Sequence, residues 1–284
     1  MQNRHPPFPQ MSPQPRKRFA QHWLRSEKAL NRIVQAADIS QSDRLLEIGP
    51  GTGNLTHRLL PLAQSVAAVE IDRDLCQKLA KKFGATENFL LLQGDILTLN
   101  LDELLTDFPA FQKPKKVVAN IPYNITGMIL QKLLGTIAEP TPDNYDLIVL
   151  LVQKEVAQRL YAKPGSKAYG ALSVKIQYLA QCEFICDVPA SAFHPRPKVD
   201  SAVVRLKPQL TETLAKDARH LEKLVKLGFA NKRKMLKNNL KGILESDRLR
   251  ELLERFEINP QCRAEDLSVA QWVALSNALG ASQF

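Results

Sequence analysis

The sequence predicts an α/β protein: a doubly wound, mostly parallel sheet followed by a smaller all-helical domain. Three observations carry this. Five short apolar runs between residues 44 and 152 alternate with helical stretches, the pattern of parallel strands joined by right-handed crossovers. A glycine-rich turn, Gly49-Pro50-Gly51-Thr52-Gly53, directly follows the first run, as in Rossmann-like sheets. From Glu212 onward the pattern is helical and holds no further strand.

Taken in order, residues 1–15 are rich in Pro and Gln and read as a disordered tail. Ser26 stands as an N-cap before Ala29, Leu30, Ile33, Val34 and Ala37, which repeat as one apolar helical face. Arg44–Ile48 is the first strand, and the helix after the glycine turn is expected over Asn54–Leu60. Val66–Ile71 is the second strand, Arg73–Phe83 a helix, Asn88–Leu92 the third strand and Lys116–Ala119 the fourth. Ile125–Leu134 is a helix and Asp146–Val152 the fifth strand. Glu183–Val188 and Ser201–Leu206 read as a closing antiparallel pair. The boundary falls near Pro208, so residues 16–208 form the sheet domain and 209–284 the helical one.

A chain of 284 residues is long enough for a large domain and a smaller one, and 44% apolar residues can fill a real core. Thirty-nine Lys and Arg against 29 Asp and Glu leave a formal charge of +10, which favours polyanionic partners, nucleic acid first. The longest apolar run, Leu147–Val152, is far too short to cross a bilayer, and the first eighteen residues lack a signal-peptide core. Cys76, Cys182, Cys186 and Cys262 form no C-x-x-C pair and have no His at zinc-ligand spacing, so no metal is expected. Cys182 and Cys186, four apart in one strand, are expected on one face. The expectation is a cytoplasmic monomer with no membrane partner.

The glycines let the chain turn sharply and let a ligand approach the main chain. Glu70 ends the second strand seventeen residues beyond Gly53, where a carboxylate accepts both hydroxyls of a ribose. Gly94-Asp95 follows the third strand, where a carboxylate accepts from an adenine amino group. The loop is G-x-G-x-G rather than the dehydrogenase G-x-G-x-x-G that cradles a pyrophosphate. Together these features favour S-adenosyl-L-methionine over a nicotinamide dinucleotide.

The fourth strand runs into Asn120-Ile121-Pro122-Tyr123. An adenine amino nitrogen is a poor nucleophile because its lone pair is delocalised into the ring. The Asn120 side-chain oxygen and a backbone carbonyl near Pro122 can accept its two N–H groups, favouring a pyramidal nitrogen aimed at a methyl group. Tyr123 can stack on the base. A sulfonium supplies the reactive methyl, so positioning and electrostatics suffice and no general base is assigned.

With these residues in place the chain resembles the KsgA/RsmA family of ribosomal RNA adenine dimethyltransferases from about Arg16 to the C-terminus. The motifs are Arg18-Phe19-Ala20-Gln21-His22-Trp23-Leu24, LEIGPGTGNLT over residues 46–56, Val69-Glu70-Ile71-Asp72, Gly94-Asp95, and NIPYNIT over residues 120–126. Tyr169-Gly170-Ala171-Leu172-Ser173, FHPRPKVDS over residues 193–201, and Asn231-Lys232-Arg233-Lys234 complete them. The resemblance implies a class I S-adenosylmethionine methyltransferase sheet. It implies transfer of two methyl groups to each of two adjacent adenosines near the 3′ end of small-subunit (16S) ribosomal RNA, the partner being an immature 30S particle. It implies cofactor contacts at His22, Leu24, Gly49, Glu70, Asp95 and Asn120, to which the glycine reading adds Gly51. The family commonly has glycine where Ala20 stands and asparagine-phenylalanine where His22-Trp23 stand, so a contact at His22 would run through an imidazole. Phe193 is expected as a second aromatic face opposite Tyr123.

Residues 226–241 carry Lys226, Lys232, Arg233, Lys234, Lys237 and Lys241 and no acid, with Leu227, Ala230, Leu236 and Leu240 as the buried face of one expected helix. Lys232, Arg233, Lys234 and Lys237 are the expected RNA-phosphate contacts, and the Arg16–Arg18 cluster is expected to extend them. Two other readings share the scaffold. One is a resistance-type methyltransferase of 23S ribosomal RNA; the other is a nucleic-acid-binding factor that has lost catalysis.

Overall fold

The computed structural model describes residue 16 and residues 21–141, 143–241 and 245–280. The expected tail, residues 1–15, lies outside them, as do Arg18, Phe19 and Ala20.

The N-terminal segment opens with a short strand, β1 (Trp23–Leu24), and a helix, α1 (Glu27–Ala37). Ser26 caps α1 by accepting from the Ala29 N–H at 3.3 Å. The α/β units follow: β2 (Arg44–Ile48), α2 (Thr56–Leu59), β3 (Ser65–Glu70), α3 (Arg73–Phe83), β4 (Phe89–Gln93), α4 (Leu101–Leu104), β5 (Lys116–Asn120), α5 (Thr126–Leu134) and β6 (Leu147–Gln153). The helix after the glycine turn begins at Thr56 rather than Asn54. Gly53 still has φ +77°, so the turn continues past it, and the Asn54 side chain is spent donating to the Leu24 carbonyl at 2.9 Å. Two more helices, α6 (Lys154–Leu160) and α7 (Ala171–Leu179), lead to β7 (Ala180–Val188), β8 (Phe193–His194) and β9 (Ser201–Pro208); like α4, β1 and β8, they are absent from the sequence reading.

Seven strands form one sheet in the order β4-β3-β2-β5-β6-β9-β7. The five from β2 to β6 are parallel, and β9 and β7 close the far edge antiparallel. The order reverses between β2 and β5, and at such a switch point the loops beyond the carboxyl ends part to leave a crevice. A separate two-stranded ribbon pairs β1 with β8.

Alternation along the strands builds two cores. Leu45, Val66, Val149, Leu151 and Val203 face α1 and α3, meeting Leu30, Ile33, Leu79 and Phe83. Leu46, Val117, Ile148, Leu150 and Val204 face α5 and α7. The second core continues without a break into the C-terminal helices through Leu221, Leu224, Trp272 and Leu275. Apolar packing therefore runs straight past Pro208.

Two expectations are corrected. Cys182 and Cys186 do not share a face: Cys182 packs on the core that includes Leu206, and Cys186 on the one that includes Val203. A β-bulge between Phe184 and Cys186 inserts one residue and reverses the alternation. Residues 226–241 are not one helix. After α8 (Ala218–Gly228) the chain turns, and helix resumes only at α9 (Leu236–Asn239). The Asn239 side-chain amide donates to the Gly228 and Asn231 carbonyls at 2.5 and 3.0 Å, and the Leu236 N–H is given to the Cys262 carbonyl at 2.8 Å, so these groups leave the helical ladder. Leu236 and Leu240 are buried as expected, but Ala230 is exposed. The C-terminal part is completed by α10 (Ser246–Arg255) and α11 (Val269–Leu279).

Candidate active site

A cleft partly open to solvent lies over the carboxyl ends of β2 to β5 at the switch point. Of the expected cofactor residues, His22, Gly49, Gly51, Glu70, Asp95 and Asn120 all line it.

The glycine loop is positioned by the acid of the next strand. Gly49 and Gly51 have φ of +66° and +60°, a region closed to most side chains. The Gly49 N–H donates to the Val69 carbonyl at 2.9 Å, which pins the loop to β3. Glu70 is 5% exposed; its Oε2 accepts from Gly51 N–H at 3.1 Å and its Oε1 from Asp72 N–H at 2.9 Å. Burial raises the Glu70 carboxyl above the ordinary range, against the pull of those two N–H donors. Glu70 is thus a brace for the loop as well as a wall of the cleft. Behind the loop, burial pushes Glu47 up to about 8, and the Thr56 hydroxyl donates to it at 2.7 Å. Asp95 is held by the Leu97 N–H at 2.9 Å, with apolar Ile71 and Ile96 beside it in the lining.

On the opposite wall the Asn120 side-chain NH₂ donates to the His22 carbonyl at 3.0 Å, leaving its Oδ1 as an acceptor. The Pro122 carbonyl accepts long contacts from Thr126 Oγ1 at 3.3 Å and the Ile125 N–H at 3.4 Å. The Tyr123 hydroxyl shares a hydrogen bond with Ser201 Oγ at 2.6 Å, which orients its ring, and burial raises its pKa. The His22 ring stacks on Tyr123, centroids 5.7 Å apart and planes at 20°. His22 Nδ1–H donates to the Pro195 carbonyl at 2.8 Å, since a carbonyl only accepts.

Two expected residues stand elsewhere. Phe193 is not opposite Tyr123: it is 5% exposed and packed in the core under α1, outside the cleft lining. Leu24 pairs with it across the β1–β8 ribbon and is 4% exposed in the same core. Directly opposed residues of a ribbon share a face, so this register sends both inward. Leu24 reaches the site only at a smaller pocket beside the glycine loop. Lys232, Arg233, Lys234 and Lys237 are exposed on the loop after α8 and on α9, outside the cleft lining. Lys232 donates to the Lys167 carbonyl at 2.6 Å and pairs with Glu265 at 3.6 Å.

Sequence reasoning passed over three contributors. Ser201 orients Tyr123, Gln21 donates to Asp72 at 2.9 Å, and the Trp23 indole lies over Gly51. All three lie inside motifs quoted for the resemblance, but only Trp23 stood out, as a departure from the motif. Among the described residues no group of three or more His, Cys, Asp or Glu side chains is placed to hold a metal ion, and no helix is long and apolar enough to cross a membrane.

Comparison with known proteins gives the same direction. The family model described as ribosomal RNA adenine dimethylase matches residues 13–280. A ribosomal RNA small subunit methyltransferase A from Nostoc punctiforme is 68% identical over 271 residues, covering 93% of this chain and 95% of that protein. Among solved structures, a dimethyladenosine transferase from Plasmodium falciparum superposes with a TM-score of 0.72 at 28% identity, covering 89% of this chain and 96% of that one. The 23S rRNA methyltransferase ErmE superposes with a TM-score of 0.69 at 26% identity, covering 90% and 99%.

Proposed function

This chain belongs to the ribosomal RNA adenine dimethylase family, and from that premise we propose the following reaction. Methyl groups pass from S-adenosyl-L-methionine to the exocyclic amino nitrogens of two adjacent adenosines near the 3′ end of 16S ribosomal RNA, giving dimethyladenosine during small-subunit maturation. The observation that carries the reading is the meeting of Glu70, Asp95, Asn120 and Tyr123 in one cleft at the switch point.

The cofactor supplies a methyl group already activated on a sulfonium. The protein's residues supply the geometry. Glu70, lining the cleft beside the glycine loop, would hold the ribose hydroxyls, and Asp95, with Ile71 and Ile96 also in the lining, would hold the adenine amino group. Asn120 Oδ1, left free by the bond to His22, accepts one N–H of the target amine, and the weakly engaged Pro122 carbonyl accepts the other. The Tyr123 ring carries the base, and its Ser201 bond fixes the angle. Phe193 is given no base contact, because it packs in the core with α1 and does not line the cleft. A base in an A-form helix shows its amino group in a groove too deep and narrow for side chains, so the target must be unpaired or extruded. Each transfer breaks the sulfur–methyl bond, leaves S-adenosylhomocysteine, and gives a methylated ammonium that releases one N–H proton to solvent; Asn120 then has one N–H fewer to accept, and a monomethyl intermediate is expected.

Lys232, Arg233, Lys234 and Lys237 are assigned to RNA phosphates, the immature 30S particle to the substrate, and a cytoplasmic monomer to the working state. The 23S resistance-type reading is disfavoured by 68% identity to a small-subunit enzyme against 26% to ErmE, and the non-catalytic reading by the intact cleft. The test is to incubate purified small and large subunits from cells lacking this enzyme with labelled cofactor, digest the RNA and identify the nucleosides. Labelled dimethyladenosine in small-subunit RNA is expected. Label confined to large-subunit RNA, or none in either, would overturn the reading.

A further inference from the structure

The Trp23 side chain is 8% exposed, and its indole Nε1 is buried without a hydrogen-bond partner. Buried donors are almost always answered, by protein, by an ordered water or by a ligand. The ring lies directly over the glycine loop: a Cβ added at Gly51 would stand 3.0 Å from Trp23 Cδ1 and 3.4 Å from Nε1. Trp23 also borders two spaces at once, the main cleft and the smaller pocket whose lining includes Glu47, Gly49, Gly51, Thr52, Asn54 and Asn120.

This placement selects one end of the cofactor. The cleft's acids, Glu70 and Asp95, suit the ribose and the adenine, so the amino-acid end is left the side between Asn120 and the glycine loop. That end bears a carboxylate. Among the described residues lining the two spaces there is no Lys and no Arg. A carboxylate there must be met by uncharged donors, the Thr52 hydroxyl and N–H groups, and the indole N–H is the donor that is buried without a partner and has no accepting capacity. We propose that Trp23 is a cofactor-binding residue whose Nε1–H donates a hydrogen bond to the carboxylate of the methionine moiety of S-adenosyl-L-methionine.

Trp23→Phe keeps an aromatic ring over Gly51 and removes only the donor. S-adenosylhomocysteine carries the carboxylate, whereas 5′-methylthioadenosine lacks the whole amino-acid end. Titration calorimetry is expected to show Trp23→Phe binding S-adenosylhomocysteine about ten- to a hundredfold more weakly than wild type, with affinity for 5′-methylthioadenosine unchanged. Unchanged affinity for S-adenosylhomocysteine would mean that a water answers the indole. Equal losses for both compounds would mean that the ring acts only by packing on the loop. Either result overturns the contact. Wild-type protein that binds neither compound would overturn the cofactor assignment on which the contact rests. An independent readout needs no altered affinity. The chain has two tryptophans, so amide-type nuclear magnetic resonance spectra show two indole N–H signals. They are assigned by whichever of Trp23→Phe and Trp272→Phe folds. The Trp23 signal is expected to move downfield with S-adenosylhomocysteine and to stay in place with 5′-methylthioadenosine. A stationary signal with both compounds refutes the hydrogen bond.

Discussion

Replacing Glu70 tests the double duty the structure gives it. Its two oxygens accept from Asp72 N–H at 2.9 Å and Gly51 N–H at 3.1 Å, the first bond buried and the second partly so. Glu70→Ala leaves the Asp72 donor unanswered, at a cost of roughly 1–3 kcal/mol, and loses about 1 kcal/mol more at Gly51, where water can substitute. Unfolding free energy should therefore fall by roughly 2–4 kcal/mol, read as a lower urea midpoint at unchanged slope. Cofactor binding should suffer separately. Charge-assisted bonds to ribose hydroxyls are worth roughly 1.5–3 kcal/mol each, so affinity for S-adenosylhomocysteine should drop by about a hundredfold or more. Glu70→Gln keeps one acceptor oxygen and should fall between Ala and wild type in both measurements. Calorimetry on variants shown to be folded at the assay temperature separates the two effects. Wild-type affinity in folded Glu70→Ala would refute the ribose contact. A wild-type urea midpoint would refute the loop brace.

Three further outcomes follow from the geometry. Tyr123→Ala removes the stacking ring and should lower turnover about ten- to a hundredfold with cofactor affinity intact; Tyr123→Phe loses only the Ser201 bond and should cost about tenfold or less. Steady-state rates with calorimetry check both. Changing Lys232, Arg233 and Lys234 together to Gln should weaken RNA binding and flatten its log–log salt dependence by about two to three in slope, while cofactor affinity stays put; an unaltered slope would show that they only face solvent. Burial holds the Glu47 carboxyl at about 8 against an ordinary 4.5, so the folded state keeps the proton more tightly than the unfolded chain. Its stability contribution is fully present below about pH 4.5 and is lost as pH rises through about 8, by on the order of 5 kcal/mol in the limit. Glu47→Gln should flatten that slope and exceed wild-type stability at alkaline pH, measured by urea unfolding across the range.

Much of the site was legible because its parts are local. The glycine turn and the acids after β3 and β4 each depend on neighbours a few residues away, and parallel strands then bring their carboxyl ends to one edge. From β2 to β6 the bounds of the expected strands and helices agree to a residue or two for the same reason, since an apolar period of 2 or 3.6 is written in adjacent positions, whereas β7 starts three residues before the expected Glu183. The helix at Arg73–Phe83 is an example: Leu75, Cys76, Leu79 and Phe83 are its buried stripe.

What only the tertiary structure decided lies where two distant segments choose a register. Phe193 was expected at the base and stands in the core, because its partner across the ribbon is Leu24, 169 positions away, and opposed residues share a face. Cys186 changed sides through one inserted residue whose cause is the pairing with β9. The lysine-rich helix broke because Asn239 and Cys262 took up groups that helical periodicity assumed were free. Trp23 became a candidate ligand only when folding laid it on Gly51. Local sequence sets which elements form and which face of each is apolar. Which side chain reaches the cleft is set by contacts between chain segments far apart, each chosen by the packing of the whole core.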